Sequence, residues 1–430
     1  MISPTLKDNY TYRIIIAHYL AAALFFFVAC VLLLFSSEAF IGHYFHPKVL
    51  ALTHVTTLGW ITFMIMGSLY QLIPVITSKK IYSPLLALIA YSCLLIGIVL
   101  LATSFWIFDI GLLIEIGATF VFLGITLFLI NILHTINGSN ETNIEIDFIQ
   151  VSIFWLWLTA FIGTLLAFNF RYPFLPKEHL YYLKIHAHIG LIGWFLCLII
   201  GVASKLVPMF LLSGKLKTKS LTYCYYLINI SLLGFIIDGL FLNGLDRLFI
   251  YVILILLGVL LFLNYIANAF KTRARKKLDI NLKHIYVSFF SISIPIILWV
   301  ILKIGIISDK RLELQLSSAI VFSLLFGFIT LLILGQTFKN LAFIVWMKKY
   351  QGIVGKVKTP LPKDLYSEKI TVIQLYVFLI GFILTLVGII ISNRIFITIG
   401  SIFLIGAAML YITNVFKIVL HKNNSSTTIV

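Results

Sequence analysis

Three histidines lie inside long apolar stretches of this sequence, in a context that repeats. His186 and His188 form a His-Ala-His motif, and a similar segment earlier in the chain carries one histidine, His54. After His188 and after His54, the chain has a Gly-Trp pair, a second glycine and a proline at matching distances. These residues are Gly193, Trp194, Gly201 and Pro208 in one segment, and Gly59, Trp60, Gly67 and Pro74 in the other. Imidazole is the commonest protein ligand for metals and is costly to bury in a membrane. The pattern therefore indicates either a metal or heme centre or histidines that hydrogen-bond between helices.

The spacing of these histidines predicts where they point. His186 and His188 are two residues apart, which places them roughly 200° apart around a helix and directs them to different clefts. His54 and His188 occupy equivalent positions, and two imidazoles at one depth on neighbouring helices can hold one heme iron. A third segment follows the second at the same spacing along the chain. It has glycines at the matching positions, Gly327 and Gly335, but Phe322 stands in place of the histidine. The glycines, eight residues apart, allow either close helix packing or room for a flat macrocycle.

The elements that position these residues are apolar helices. The chain has 430 residues, of which 61% are hydrophobic and 11% charged, and runs of about 20 apolar residues cross a bilayer as helices. We predict twelve spans, at 11–36, 49–75, 83–104, 110–134, 149–170, 181–211, 220–242, 246–270, 283–307, 316–347, 370–392 and 395–420. Because the first is of full span length and no small-residue cleavage site follows it, we expect no cleavable signal peptide. A shift by the interval that separates the histidine segments superimposes the first eight spans in two groups of four. We therefore expect an all-α membrane protein with three pseudo-threefold-related repeats (11–134, 149–270 and 283–420) in one integral membrane domain.

The charge distribution predicts orientation and partners. The net charge is +17. About 21 Lys and Arg fall on the side of the two termini and about 8 on the other, which by the positive-inside rule places both termini in the cytoplasm. The excess includes two clusters, 215–219 and 273–277, which we expect to lie beside anionic lipid rather than nucleic acid. The localisation that follows is a bacterial cytoplasmic membrane. The Ser/Thr-rich C-terminal tail is expected to be disordered.

The two histidine segments resemble a known family. His54 with Gly59, Gly67 and Pro74 is similar to the second span of the heme-copper oxidase catalytic subunit, in its nitric oxide reductase and cbb3-type branch. His186-Ala-His188 resembles the tenth span of that subunit. The resemblance implies that His54 and His188 are axial ligands of one b-type heme and that His186 is a ligand of a second centre. Twelve spans, threefold pseudosymmetry and cytoplasmic termini are also features of the family.

The sequence departs from that family in two respects. The His-x-His pair lies in the sixth span instead of the tenth, and the family's copper ligands and glutamate cluster have no counterpart. Either the heme site occupies a rotated position in the repeat, or the histidines of the sixth span have another role. The four cysteines are spaced without a disulfide, redox or covalent-heme motif.

Several other polar residues are candidates for the same chemistry. His43 and His46 precede the second span and are candidate copper or propionate contacts, with a solvated loop as the alternative. Arg394 and Arg171 resemble in position the arginines that pair with heme propionates, or else they anchor the chain at the interface. Glu115 is a candidate proton relay, with a structural hydrogen-bonded acid as the alternative. Asp238, near the end of the seventh span, is expected to be solvated.

Three functions follow from these observations. The first is a heme protein for electron transfer or for nitric oxide or dioxygen chemistry, with one or two b hemes, copper as an option, and quinol or a redox protein as electron donor. The second is a non-catalytic heme-based sensor or tolerance protein for nitric oxide, similar to NnrS-type proteins. The third is a transporter of a metal or small solute. Whether the chain is an enzyme or forms a homo-oligomer stays open.

Overall fold

The computed structural model describes residues 9–139, 143–242, 247–304 and 309–422, and these residues form an all-α protein without a strand. Within these described residues, twelve helices are long and apolar enough to cross a membrane. They are α1 (Asn9–Phe35), α2 (Pro47–Thr77), α3 (Pro84–Ile107), α4 (Leu112–Asn137), α5 (Ile144–Asn169), α6 (His179–Leu211), α7 (Lys219–Phe241), α8 (Leu248–Lys271), α9 (Ile280–Lys303), α10 (Lys310–Ile353), α11 (Glu368–Ile390) and α12 (Arg394–Val419). The prediction of twelve spans is confirmed, and the chain is an integral membrane protein embedded in lipid. The Ser/Thr-rich tail lies outside the described residues.

The largest differences from the predicted starts occur in α5 and α10, which begin earlier because polar residues cap them. The side-chain oxygen of Asn143 accepts a hydrogen bond from the backbone nitrogen of Ile146 at 2.9 Å. A carboxylate oxygen of Asp309 accepts from the nitrogen of Arg311 at 2.8 Å. Such caps satisfy nitrogens that the first turn of a helix leaves unpaired. The charged first turns of α5 and α10 therefore continue the apolar helices that follow them.

The helices form two compact units. The first contains Met1–Pro84, Ile98–Asp109 and Leu278–Val430, and the second contains Leu85–Gly97 and Ile110–Lys277. In the first unit, the Trp60 ring stacks on Phe26 with centroids 4.6 Å apart, and its indole nitrogen donates to the Thr330 hydroxyl at 3.0 Å. In the second unit, Trp155 is buried and donates to the side-chain oxygen of Asn229 at 2.8 Å. Both of these indoles thus have a hydrogen-bond acceptor, as burial of the N–H requires.

Three of the helices change their winding in the same way. The residues that follow His54, His188 and Phe322 are π-helical, over Val55–Thr62 in α2, Ile189–Leu196 in α6 and Ser323–Thr330 in α10. The three segments are equally long and evenly spaced along the chain. π-Helical turns are rare and occur frequently at functional sites. The change of winding lies directly beside the two histidines that the sequence placed in equivalent positions.

Candidate heme-ligand histidines

His54 is the last α-helical residue before the π-helical part of α2. Its ring nitrogen Nδ1 lies 2.8 Å from the carbonyl oxygen of Leu50, one turn earlier. Because a carbonyl can only accept, this contact makes Nδ1 the protonated nitrogen, and a neutral ring then carries its lone pair on Nε2. Phe105 of α3 stacks on the imidazole, with centroids 4.9 Å apart and planes inclined by 27°. The hydrogen bond and the stacked ring together fix the orientation of the imidazole.

His188 has the same local geometry in α6. Its Nδ1 lies 2.7 Å from the carbonyl oxygen of Lys184, again one turn earlier. The ring contacts Phe235 of α7, with centroids 5.2 Å apart and an angle of 47° between the planes. Metal-binding histidines generally donate one ring nitrogen to a carbonyl or carboxylate, which leaves the other for the metal. His54 and His188 each satisfy that requirement.

Burial distinguishes these two histidines from His18 and His284. The latter pair also place Nδ1 within 2.9 Å of a carbonyl four residues earlier. Both are completely buried, and their Cβ atoms lie against Gly67 and Gly335, where a glycine Cβ would be only 2.7 Å away. His54 and His188 are partly exposed. A macrocycle needs open space beside its ligand, so the partly exposed pair fits an axial role and the buried pair does not.

His186 faces another helix, as its spacing from His188 predicts. Its Nδ1 lies 3.0 Å from the carbonyl oxygen of Thr159 in α5. A Cβ at Gly163 would lie 2.8 Å from Cε1 of the ring, so this glycine makes room for the imidazole. His186 thus packs against α5 while His188 packs against α7, and the prediction of different clefts is confirmed. Its role as ligand of a second centre stays a prediction.

In α10 the equivalent position holds an aromatic cluster. Phe322 stacks on Phe326 at 4.8 Å and on Phe382 of α11 at 5.8 Å between centroids. Phe382 also fills the space beside Gly327, where a Cβ would lie 2.7 Å from the ring. α10 therefore has the same π-helical winding and a glycine at 327, but hydrocarbon side chains fill the space around position 322.

The repeated glycines are packing residues. A Cβ at Gly59 or Gly67 would lie 2.6 Å from Phe25 or 2.7 Å from His18 of α1. In the second unit, Gly193 meets Trp155 at 2.6 Å and Gly201 meets Phe148 at 2.7 Å, both in α5. Contacts under 3.0 Å leave no space for a side chain. Close helix packing, one of the two readings of this spacing, accounts for all four positions.

The candidate arginines each have a carboxylate partner. Arg171 lies 3.9 Å from Glu115, whose side chain is buried in the first turn of α4. Arg394 begins α12 and lies 3.4 Å from Glu38, and both of these side chains are largely exposed. The ion pair favours a structural role for Glu115, while the proton-relay and propionate roles stay predictions.

The prediction that Asp238 is solvated is wrong. Asp238 is buried in α7, where one carboxylate oxygen accepts a hydrogen bond from the Tyr251 hydroxyl at 2.5 Å. The other oxygen lies 3.8 Å from Arg247. Both partners come from the start of α8 or the residue before it, so the beginning of α8 covers the carboxylate. The sequence position, one turn from the helix end, does not reveal this covering.

His43 and His46 stabilise the loop before α2. The Nδ1 of His43 accepts from the backbone nitrogen of Phe45 at 3.0 Å, and that of His46 accepts from the nitrogen of Lys48 at 3.2 Å. His46 thereby caps α2. These contacts engage only one nitrogen of each ring, so a copper or propionate contact through Nε2 stays a prediction.

Larger metal sites are not formed by the residues that the structure describes. Among them, no group of three or more His, Cys, Asp or Glu side chains could hold a metal ion. The four cysteines are buried free thiols. A heme iron needs fewer protein ligands than such a group, so His54 and His188 each remain a candidate heme ligand.

Two residues near the end of α10 make contacts that the sequence does not predict. The Tyr350 hydroxyl lies 2.7 Å from Nε2 of His421, which follows α12. Lys349 donates to the carbonyl oxygens of Val419 and His421, so its ammonium group covers the C-terminus of α12. Residues far apart in the sequence meet here, and no local motif signals it.

Comparison with protein-family models gave no match, and comparison with curated proteins gave none either.

Proposed function

We propose that this membrane protein binds b-type heme through His54 and His188 as axial ligands, and that it acts in electron transfer or in nitric oxide or dioxygen chemistry. The observation that carries the proposal is the matched geometry of the two histidines. Each donates Nδ1 to the carbonyl one turn earlier, is partly exposed, and directly precedes a π-helical segment. Two imidazoles that both present Nε2 and occupy equivalent sequence positions are stronger support for metal binding than a single buried histidine.

The fit of these two histidines to heme rests on the protonation state of each imidazole and on the open space beside it. A ring that donates Nδ1 to a carbonyl presents the unprotonated Nε2, which is the form that binds iron. Bis-histidine heme supplies reversible one-electron transfer when bound. The chain's own contribution is to fix each ring, through the carbonyls of Leu50 and Lys184 and the aromatic rings of Phe105 and Phe235. In the same proposal His186 is a ligand of a second centre, and copper at His43 and His46 is optional.

The architecture in this proposal is that of three related four-helix repeats. The recurrence of π-helical segments at equal intervals along the chain supports the repeat. So does the packing of Gly67, Gly201 and Gly335, each against the helix that precedes its own. The excess of Lys and Arg on one side supports cytoplasmic termini in a bacterial membrane. The electron donor in this proposal is quinol or a redox protein.

The test is the dithionite-reduced minus oxidised absorption spectrum of purified protein. We expect the paired bands of a low-spin b heme in the wild type, and their loss in His54→Ala and in His188→Ala. The matched control is His134→Ala, an exposed histidine near the end of α4, which should keep the spectrum. Colourless wild-type protein from cells supplied with iron and a heme precursor would overturn the proposal. So would an unchanged spectrum in both variants.

A second candidate function is solute transport. His284 and Gln374 lie completely buried within α9 and α11, and Nε2 of the first and both amide atoms of the second have no hydrogen-bond partner. Uncompensated polar groups inside a membrane frequently mark a solute or ion path. Transport predicts colourless protein that accumulates solute in proteoliposomes, and the same spectrum separates it from the heme proposal.

A further inference from the structure

A backbone pairing joins two cationic segments at one end of the second unit. The first segment follows α6 (212–219) and the second covers the end of α8 and the loop after it (271–277). Ser213 and Arg273 form an antiparallel bridge. The nitrogen of Ala274 donates to the carbonyl oxygen of Leu212 at 3.1 Å, and the nitrogen of Gly214 donates to that of Thr272 at 3.4 Å. The two segments therefore form one paired surface, which we call the basic bridge.

The basic bridge carries a concentrated charge of one sign. It has three cations in the first segment and five in the second, and no Asp or Glu falls in either. All eight residues are exposed: Lys215, Lys217, Lys219, Lys271, Arg273, Arg275, Lys276 and Lys277. Like charges this close repel one another, so the paired backbone holds together groups that would otherwise separate. An arrangement of this kind is stabilised by a multivalent anion.

The position of the basic bridge identifies the kind of anion. Lys219 is the first residue of α7 and Lys271 is the last residue of α8, so the surface lies where membrane helices end. That is the depth of phospholipid headgroups, whose phosphates are the anions available there. α6 and α8 are also joined below the surface, where the Tyr265 hydroxyl donates to the carbonyl oxygen of Ser204 at 3.2 Å. The cations are thus presented on a fixed base.

We propose that the basic bridge is a binding site for an anionic phospholipid whose headgroup carries two phosphate groups. A headgroup with two phosphates can contact cations of both segments at once. Its second contact is intramolecular, which raises affinity over that of a lipid with one phosphate. This site is independent of heme binding, and its test has its own readout.

The experiment measures lipid binding to the purified full-length protein by native mass spectrometry. The probes are phosphatidylcholine, phosphatidylglycerol and cardiolipin, with the two anionic lipids compared at equal phosphate concentration. We expect cardiolipin to bind about tenfold more tightly than phosphatidylglycerol and phosphatidylcholine to bind weakly. Equal binding of the two anionic lipids, or no lipid selectivity at all, would overturn the proposal; the latter would favour an acidic protein as the partner.

Two sets of variants separate a defined site from general attraction to an anionic surface. The triple variant K215Q/K217Q/K219Q should lose most of the cardiolipin preference. The matched control K356Q/K358Q/K363Q removes the same charge from three exposed lysines of the first unit and should keep it. Equal losses in the two triple variants would show general electrostatics and reject the site.

A third variant tests the pairing itself without changing any charge. Ala274→Pro removes the backbone N–H that donates to the carbonyl oxygen of Leu212, and Ala274→Gly keeps it. We expect the proline variant to lose the cardiolipin preference and the glycine variant to keep it. Retention of the preference in a folded proline variant would contradict the proposal. If that variant fails to fold, the two triple variants decide the question alone, because they change only exposed side chains.

Discussion

The carboxylate of Glu115 lies 3.9 Å from the guanidinium of Arg171, and the two side chains differ sharply in exposure, at 7% and 48%. The arginine, from the loop after α5, forms an ion pair with a carboxylate that the start of α4 holds out of water. We expect Arg171→Gln to destabilise the protein by about 1 kcal/mol more than Glu115→Gln, because only the former leaves the buried carboxylate without its cation. The half-exposed arginine keeps the effect well below that of a fully buried pair.

Unfolding of the single variants and of the double variant in detergent, followed by circular dichroism, measures this coupling. The double variant should recover most of the loss. Arg394→Gln is the control, because its partner Glu38 is 79% exposed, and it should leave stability unchanged. A loss in Arg394→Gln as large as that in Arg171→Gln would contradict the assignment.

Gly163 provides the space for the His186 ring. In Gly163→Ala the new methyl group would lie 2.8 Å from the ring, so the imidazole must move or the helices must separate, at about 1–3 kcal/mol. Gly406→Ala in α12 is the control, since its nearest neighbour would be 3.7 Å away. We expect it to be neutral or stabilising by up to about 1 kcal/mol, because alanine favours helix. Thermal unfolding checks both, and equal midpoints would show that the ring does not depend on this glycine.

His186 also has a spectroscopic prediction. If it is a ligand of a second, open iron centre, His186→Ala should abolish the binding of carbon monoxide and leave the low-spin bands of the first heme in place. The reduced spectrum with and without carbon monoxide measures the two effects separately. Loss of the low-spin bands in this variant alone would reassign His186 to the first heme.

Tyr251 stabilises the buried carboxylate of Asp238. Replacing it by phenylalanine removes the hydroxyl that donates to that carboxylate and should cost about 1–3 kcal/mol, the usual penalty for an unsatisfied buried acceptor. Tyr223→Phe is the matched control, because Tyr223 is 53% exposed and should tolerate the change. Chemical denaturation of both variants distinguishes them, and similar midpoints would argue that Arg247 alone stabilises Asp238.

The contact of His421 with Tyr350 predicts a dependence on pH. Burial lowers the pKa of His421, and the nearby charges of Lys349 and Lys417 lower it further. On acidification the unfolded chain takes up a proton near the ordinary value of about 6.5, before the folded protein does. The stability contributed by neutral His421 is therefore complete above that pH and is lost as the pH falls through it toward the folded pKa.

The comparison of wild type with His421→Gln isolates this effect from other titrating groups. The wild type should be the more stable at about pH 7.5, and its advantage should shrink at about pH 5.5. Thermal midpoints at the two pH values measure the difference. An advantage that grows on acidification would show that the imidazole is stabilised in its charged form.

Sequence patterns predicted the local features of this protein well, because those features depend on residues close together in the chain. Apolar runs located all twelve spans. The two-residue spacing of His186 and His188 set their different neighbours, since helix geometry alone fixes that angle. The first residues of α5 and α10 were not predicted to be helical, because they are charged and lie outside the apolar run. Capping side chains start both helices there.

What the sequence by itself determined is the set of membrane helices, the glycines that let them pack and the paired histidine positions. Only the tertiary structure decided that Asp238 is covered by the next helix, that Arg171 compensates Glu115, and that two separate basic clusters form one surface. The physical reason is that hydropathy and helical period act along the chain. Ion pairs and loop hydrogen bonds depend on which helix ends are close in space. One hydropathy pattern along the chain is compatible with many arrangements of those ends.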